Sequence, residues 1–239
     1  MAVIKKQVIV AIILGFLLWI SPRTALAGTF RDNFDDGDLV GWKPNIPAGI
    51  SIINGKLQFR GADSLIVKVG SPSWEGYSLE ARVKIAEFMG GGWFSTRILQ
   101  SNTGDRTGYY ELRLAQGGIV SALYVNDHCV ESFQVPIVVE ENLWHSVKIN
   151  PSNGKVSFYL DEILIAQFTD VGLSGYADMC STKGTHVYLD DVVISGTNVP
   201  DTGPSGPNSF AIESRSKLAI TWGEVKKSKA PQLRSISSR

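Results

Sequence analysis

The chain carries no excess charge of either sign: Lys+Arg number 23 and Asp+Glu number 23 over 239 residues. Nucleic-acid binding demands a basic surface, so composition gives no electrostatic reason to expect that partner. Cysteine is scarce, with only Cys129 and Cys180. Two readings stay open for them: one disulfide, as an oxidising compartment permits, or two free thiols. His128, His145 and His186 show no metal-ligand spacing. No Gly-x-Ser-x-Gly elbow and no P-loop occurs, which removes two common hydrolase signatures. Between Gly28 and Gly196 no segment has a helical period, and no internal repeat is visible.

What is present is alternation. Hydrophobic residues make up 44% of the chain, enough for a real core and against global disorder. Tyr77, Leu79, Ala81, Val83 and Ile85 alternate with Ser78, Glu80, Arg82 and Lys84, the period of a half-buried strand. Tyr110, Leu112 and Leu114 alternate with Tyr109, Glu111 and Arg113. Leu143, His145, Val147 and Ile149 share a face, and so do Val156, Phe158 and Leu160. Val187 to Ile194 is a last β-branched run. Asn54-Gly55, Gly104-Asp105, Gly117-Gly118, Asn153-Gly154 and Asp161-Glu162 separate these runs as turns. Many short strands at close spacing predict an all-β, two-sheet antiparallel sandwich over residues 28–196.

The ends read differently. Lys5 and Lys6, an apolar run from Val8 to Ile20, and Ala25-Leu26-Ala27 have the form of a signal peptide over residues 1–27, cleaved before Gly28. A membrane anchor is the alternative, but the run is short for a span of roughly 20 residues. The expectation is a secreted, periplasmic or cell-surface protein with no stable membrane span after cleavage. Residues 197–208 are rich in Pro and Gly and read as a linker. Residues 209–239 form a basic tail. It is either disordered or a short amphipathic helix through Leu218, Trp222 and Val225.

Several of these patterns, in order, resemble the concanavalin A-like lectin/glucanase superfamily. They are Phe30-Arg-Asp-Asn-Phe34 with Gly41-Trp42, Gly76-Tyr-Ser-Leu-Glu-Ala-Arg-Val83 and Gly108-Tyr-Tyr-Glu-Leu112. Leu143-Trp-His-Ser-Val-Lys-Ile149, Gly154-Lys-Val-Ser-Phe-Tyr-Leu-Asp161 and Tyr188-Leu-Asp-Asp-Val-Val-Ile194 follow. Within the superfamily the chain looks most like laminin-G-type modules and the 3-keto-disaccharide hydrolase-like domain. The resemblance implies a jelly roll with a concave face that holds oligo- or polysaccharides in many relatives.

Candidate chemistry follows from the non-core face. Aromatic rings that stack on sugars and planar polar groups that bond hydroxyls are supplied by Trp93, Arg97, Tyr109, Glu111, Arg113 and Arg82. The plainer reading is a wet sheet face with cross-strand ion pairs. For hydrolysis, Glu80 and Glu111 are the carboxylates that could flank a bond if their strands are neighbours. The glucanase strand Glu-x-Asp-x-x-Glu is missing, so a lectin-like binding module leads over a glycoside hydrolase. A structural or adhesive surface protein, docked through its tail, is the third possibility. In jelly-roll relatives a structural calcium is often flanked by aspartates of the first and last strands. Asp32 and Asp190 match those places, with Asp35, Asp36 and Asp191 as alternates; ordinary turn and surface carboxylates are the other reading. Trp42, Trp144 and His145 read as core, and Trp74 as a loop residue at the rim.

Overall fold

The computed structural model describes residues 27–61, 64–100, 108–126, 128–172, 175–201 and 203. Its first half holds β1 (Ala27–Asp32), β2 (Lys43–Pro44), β3 (Ile50–Ile52), β4 (Leu57–Phe59), β5 (Leu65–Gly70), β6 (Glu75–Glu87) and β7 (Trp93–Gln100). The second half holds β8 (Gly108–Ala115), β9 (Gly118–Val125), β10 (His128–Val135), β11 (Trp144–Ser152) and β12 (Lys155–Leu160), then β13 (Ile163–Thr169), β14 (Gly175–Ser181) and β15 (His186–Thr197). They form two antiparallel sheets. The first runs β13-β12-β11-β6-β15-β4-β3, with β1 also on β15; the second runs β10-β9-β8-β7-β14-β5-β2. This is the expected all-β, two-sheet sandwich.

Turn chemistry sets the hairpins. Asn54-Gly55 joins β3 to β4, Asn153-Gly154 joins β11 to β12, and Asp161-Glu162 joins β12 to β13, all with positive φ at both residues. That geometry matches the right-handed strand twist. Asp161 adds a tie of its own: its carboxylate accepts the Ser146 amide at 2.8 Å and meets His145 Nδ1 at 2.8 Å. The turn at Gly104-Asp105 lies outside the described residues.

The alternation read from β6 is the alternation observed. Tyr77, Leu79, Ala81, Val83 and Ile85 are all buried in the core. Across the sandwich they meet Phe94 and Ile98 of β7 and Tyr110, Leu112 and Leu114 of β8. Burying each large apolar side chain stabilises the fold by about 1.5–3 kcal/mol, which locks the sheets face to face. Two tyrosines also bridge polar groups at the core's edge. Tyr77 Oη donates to the Tyr176 carbonyl, and Tyr110 Oη bonds Asp170 Oδ1 at 2.6 Å. Leu143 is half exposed, because it precedes β11 rather than belonging to it.

The sandwich extends one residue beyond each expected boundary, since Ala27 pairs with Thr197. Val199, in the expected linker, is buried in the same core. The remainder of the signal segment and the tail over 209–239 lie outside the described residues. No helix among the described residues is long and apolar enough to cross a membrane.

The possible Cys129–Cys180 disulfide is not formed: both thiols are free. Cys129 lies on the edge strand β10 and Cys180 on β14, with β9, β8 and β7 between them. Four strand spacings separate them by roughly 19 Å, far beyond the ~7 Å Cα limit for a bridge.

Candidate functional site

The candidate residues on β7 and β8 converge on the outward face of the second sheet. Phe94, Thr96 and Ile98 face the core, so Trp93, Ser95 and Arg97 face away from it. Arg97 stands opposite Glu111, Ser95 opposite Arg113, and Leu99 opposite Tyr109. On the other flank of β7, Asp178 of β14 stands opposite Arg97, and Cys180 opposite Ser95. Lys68 of β5 faces Asp178, and Lys43 of β2 faces Lys68. One rung of the sheet therefore reads Lys43, Lys68, Asp178, Arg97, Glu111.

This rung is held by charge. Arg97 Nε reaches Asp178 Oδ1 at 2.6 Å and Arg97 Nη2 reaches Oδ2 at 2.8 Å, a bidentate pair. Arg113 Nη2 donates to Glu111 Oε2 at 2.7 Å. Glu111 is only 1% exposed and Asp178 only 3%, although both point away from the core. Long neighbours cover them. Burial pushes the Asp178 carboxyl above its ordinary value while Arg97 pulls it back. Burial works against the Arg97 charge, but Asp178 more than offsets this and keeps the guanidinium charged.

Aromatic rings frame the charges. Arg113 lies over the Trp93 ring at 4.2 Å, and Arg97 over Tyr109 at 5.3 Å. Tyr109 stacks on Tyr124 of β9 with centroids 4.5 Å apart. Burial, with Glu111 nearby, pushes the Tyr109 hydroxyl up to about 12, so it stays a neutral donor. Lys68 Nζ sits over Tyr176 at 4.5 Å. Two buried polar atoms on this face, Ser95 Oγ and Arg113 Nε, lack a hydrogen-bond partner among the described residues. The loop that brings Trp93 into place is tight. A Cβ on Gly92 would come within 2.2 Å of Thr185 Oγ1 and 2.3 Å of the Thr182 carbonyl, so glycine is required there.

Two expected members do not belong to this face. Glu80 and Arg82 lie on β6, in the first sheet, and face outward on the opposite side of the sandwich. Arg82 pairs with Asp191 at 3.2 Å and Glu80 with Lys148 at 3.1 Å. Glu80 and Glu111 therefore cannot flank one glycosidic bond. The chain changes sheet between β6 and β7, which strand-by-strand alternation does not report.

The expected calcium pair also fails to converge. Asp32 sits opposite the buried Val192 and shares its inward face. Its Oδ1 accepts the Phe34 amide at 2.7 Å and its Oδ2 the Trp42 indole N–H at 2.6 Å. Asp190 points outward, where Lys56 approaches at 3.7 Å. Asp191, one of the alternates, is taken by Arg82. Among the described residues no group of three acidic, histidine or cysteine side chains could hold a metal ion. Asp32 and Asp190 thus face opposite sides of the first sheet and do not point to a common cation.

The tryptophans sort by tertiary position. Trp42 is core as expected. Trp74 is buried against Phe30 and Tyr77 rather than set at a rim. Trp144 is outward on the first sheet, with Arg82 at 4.9 Å and Lys84 at 5.4 Å from its ring. His145 is half-buried and satisfied by Asp161. Sequence reasoning missed Asp178, Tyr176 and Lys68. The signal existed: Tyr176, Asp178 and Cys180 alternate with Ala177, Met179 and Ser181.

Fold and face together define an all-β, two-sheet antiparallel sandwich whose second sheet carries a charged, aromatic-lined outward face. Solved structures agree on the fold. The chain is similar to a Bacillus licheniformis β-glucanase, with TM-score 0.57, 14% identity, 72% of this chain and 99% of that one covered. It is similar to a Bacteroides ovatus mixed linkage glucan GH16 in complex with product, with TM-score 0.57, 10% identity and coverages of 69% and 99%. It is also similar to an immunostimulatory antigen and pseudo β-1,3-glucanase of Mycobacterium tuberculosis, with TM-score 0.56, 14% identity and coverages of 71% and 98%. No protein-family model and no curated protein matches the chain.

Proposed function

We propose that the chain is an exported, non-catalytic carbohydrate-binding module that uses the outward face of the second sheet. One observation carries this reading. Both carboxylates on that face are buried and bound to guanidinium groups, Glu111 to Arg113 and Asp178 to Arg97. Hydrolysis needs one carboxyl free to donate a proton and another free to attack or to activate water. Here each carboxylate is tied to a guanidinium, Asp178 through both oxygens and Glu111 through Oε2. The partly exposed groups are what saccharides use: Trp93, Tyr109, Tyr124 and Tyr176 for stacking, and the arginine edges for hydroxyls. The structural neighbours named as glucanases support a saccharide partner. Glycan-array binding, lost in Trp93→Ala and Arg113→Ala, is the expected result. Array signal at background for the parent protein would end the reading.

A glycoside hydrolase is the second reading, favoured by the placement of Glu111 and Asp178 on one face with a single strand between them. It requires turnover of an oligosaccharide that drops by orders of magnitude in Glu111→Gln and in Asp178→Asn. Absence of turnover in the parent protein excludes it.

A further inference from the structure

Among the described residues, charge on the second sheet's outward strands does not balance, although it balances over the whole chain. Lys43, Lys68, Arg97 and Arg113 stand, among the described residues, against Glu111 and Asp178, four cations to two carboxylates. The two carboxylates are consumed by the two arginines. Lys43 and Lys68 have no ion pair of their own, although Lys68 stands across from Asp178 and feels its charge. They are direct cross-strand partners, and neither has a carboxylate within ion-pair distance among the described residues. Like charges placed directly opposite destabilise a sheet. The fold keeps this pair at the end of the rung that runs through the candidate glycan face, beside the Tyr176 ring.

We infer that the face recognises an acidic glycan, with a sugar carboxylate or sulfate ester seated between Lys43 and Lys68 and sugar rings running toward Trp93 and Tyr109. This rests on the carbohydrate-binding reading and adds the class of ligand. The geometry suits it. Five neighbouring strands from β2 to β8 span roughly 19 Å, so one extended oligosaccharide covers both ends. Two ammonium groups facing one anion form charge-assisted hydrogen bonds, and the anion removes their mutual repulsion. A neutral glucan offers them hydroxyl acceptors but no countercharge. Positive charge on a face steers anions to it, an effect that salt weakens.

The test is isothermal titration calorimetry on the full-length chain. Its probes are hexagalacturonate, a sulfated galactan hexamer, and cellohexaose as the neutral control. The expected result is that one acidic probe binds roughly tenfold or more tighter than cellohexaose, and that raising the salt erodes the difference. The probe that wins identifies the anion as carboxylate or sulfate. Lys43→Gln with Lys68→Gln should remove most of that preference. Lys148→Gln, on the opposite face, should leave it intact. Equal or tighter binding of cellohexaose overturns the acidic-glycan inference and leaves carbohydrate binding standing. Failure of all three probes to bind ends both. A preference that survives the double lysine variant also overturns the inference, because the anion then sits elsewhere.

Discussion

On the outward face of the first sheet, Arg82 meets Asp191 and Glu80 meets Lys148, and all four side chains are between 19% and 44% exposed. On the outward face of the second, Asp178 and Glu111 are both buried, each gripped by an arginine. The residue types are the same, and so is the period of two that produced them. Their energetics differ. The first sheet's pairs sit in water, where solvent and salt screen them to about 0–1 kcal/mol. The second sheet's carboxylates have lost their water, so each depends on its guanidinium partner. A wet face can change its charges at little cost. A dry one cannot, and its buried pairs fix the arginines that lie over Trp93 and Tyr109.

The largest expected effect tests this contrast directly. Asp178→Ala strands Arg97 without its partner and should cost about 3–5 kcal/mol in urea unfolding. Asp191→Ala should cost less than about 1 kcal/mol. Similar losses for the two would abolish the distinction between the faces.

A pH scan sharpens it next. Burial lifts the carboxyls of Asp32 and Asp190 to about 6 from an unfolded value of 3.8. A folded pKa above the unfolded one means that the folded state binds the proton more tightly. The associated stability is full below pH 3.8 and is lost as pH rises through 6. A shift of about two units corresponds to at most about 3 kcal/mol per group. Asp190→Asn should remove its share of that decline in denaturation curves taken across this window. An unchanged slope would show that Asp190 is better solvated than its surroundings imply. On the inward side of the same sheet, Trp42→Phe deletes the indole donor to Asp32 and should cost about 1–3 kcal/mol. Thermal unfolding would report it.

The smallest effect belongs to His145. Its hydrogen bond to Asp161 raises the imidazole pKa against the burial that lowers it. Asp161 is lowered despite burial, because His145 and the Ser146 amide hold its charge. The histidine's contribution is present below its unfolded value of 6.5 and fades as pH rises through its folded value. The aspartate's is present above 3.8 and fades as pH falls. Asp161 is 46% exposed, so His145→Ala should cost no more than about 1 kcal/mol at pH 5–6 and less at pH 8. A larger penalty at pH 8 would contradict the sign.

Much of the architecture was legible. The alternation from Tyr77 to Ile85 names core residues correctly, because a one-residue error would bury Glu80 and Arg82. The hairpins at Asn54, Asn153 and Asp161 follow from turn residues that tolerate positive φ. The candidate site was legible only in part. Trp93, Arg97, Tyr109, Glu111 and Arg113 do share one face, since β7 and β8 are adjacent in chain and in sheet. Arg82 stands on the other face, and Asp178 joins this one, for one reason. The partner of β7 on its other flank is β14, some eighty residues later, while β6 passes to the other sheet. Trp144 and Trp74 exchanged roles on the same ground. A tryptophan in a strand motif looks buried, and one in a loop looks exposed, until the opposing layer is known.

Taken alone, the order of residues decided which side chains of each strand face oil and which face water, because consecutive side chains must leave the backbone on opposite sides. It also decided where the chain could turn tightly. Tertiary structure decided which water-facing rows stand together. That choice made Lys43, Lys68, Asp178, Arg97 and Glu111 a single row and sent Arg82 and Asp190 elsewhere. The physical reason is that strand pairing joins segments far apart in sequence through backbone hydrogen bonds, which carry no trace of side-chain identity.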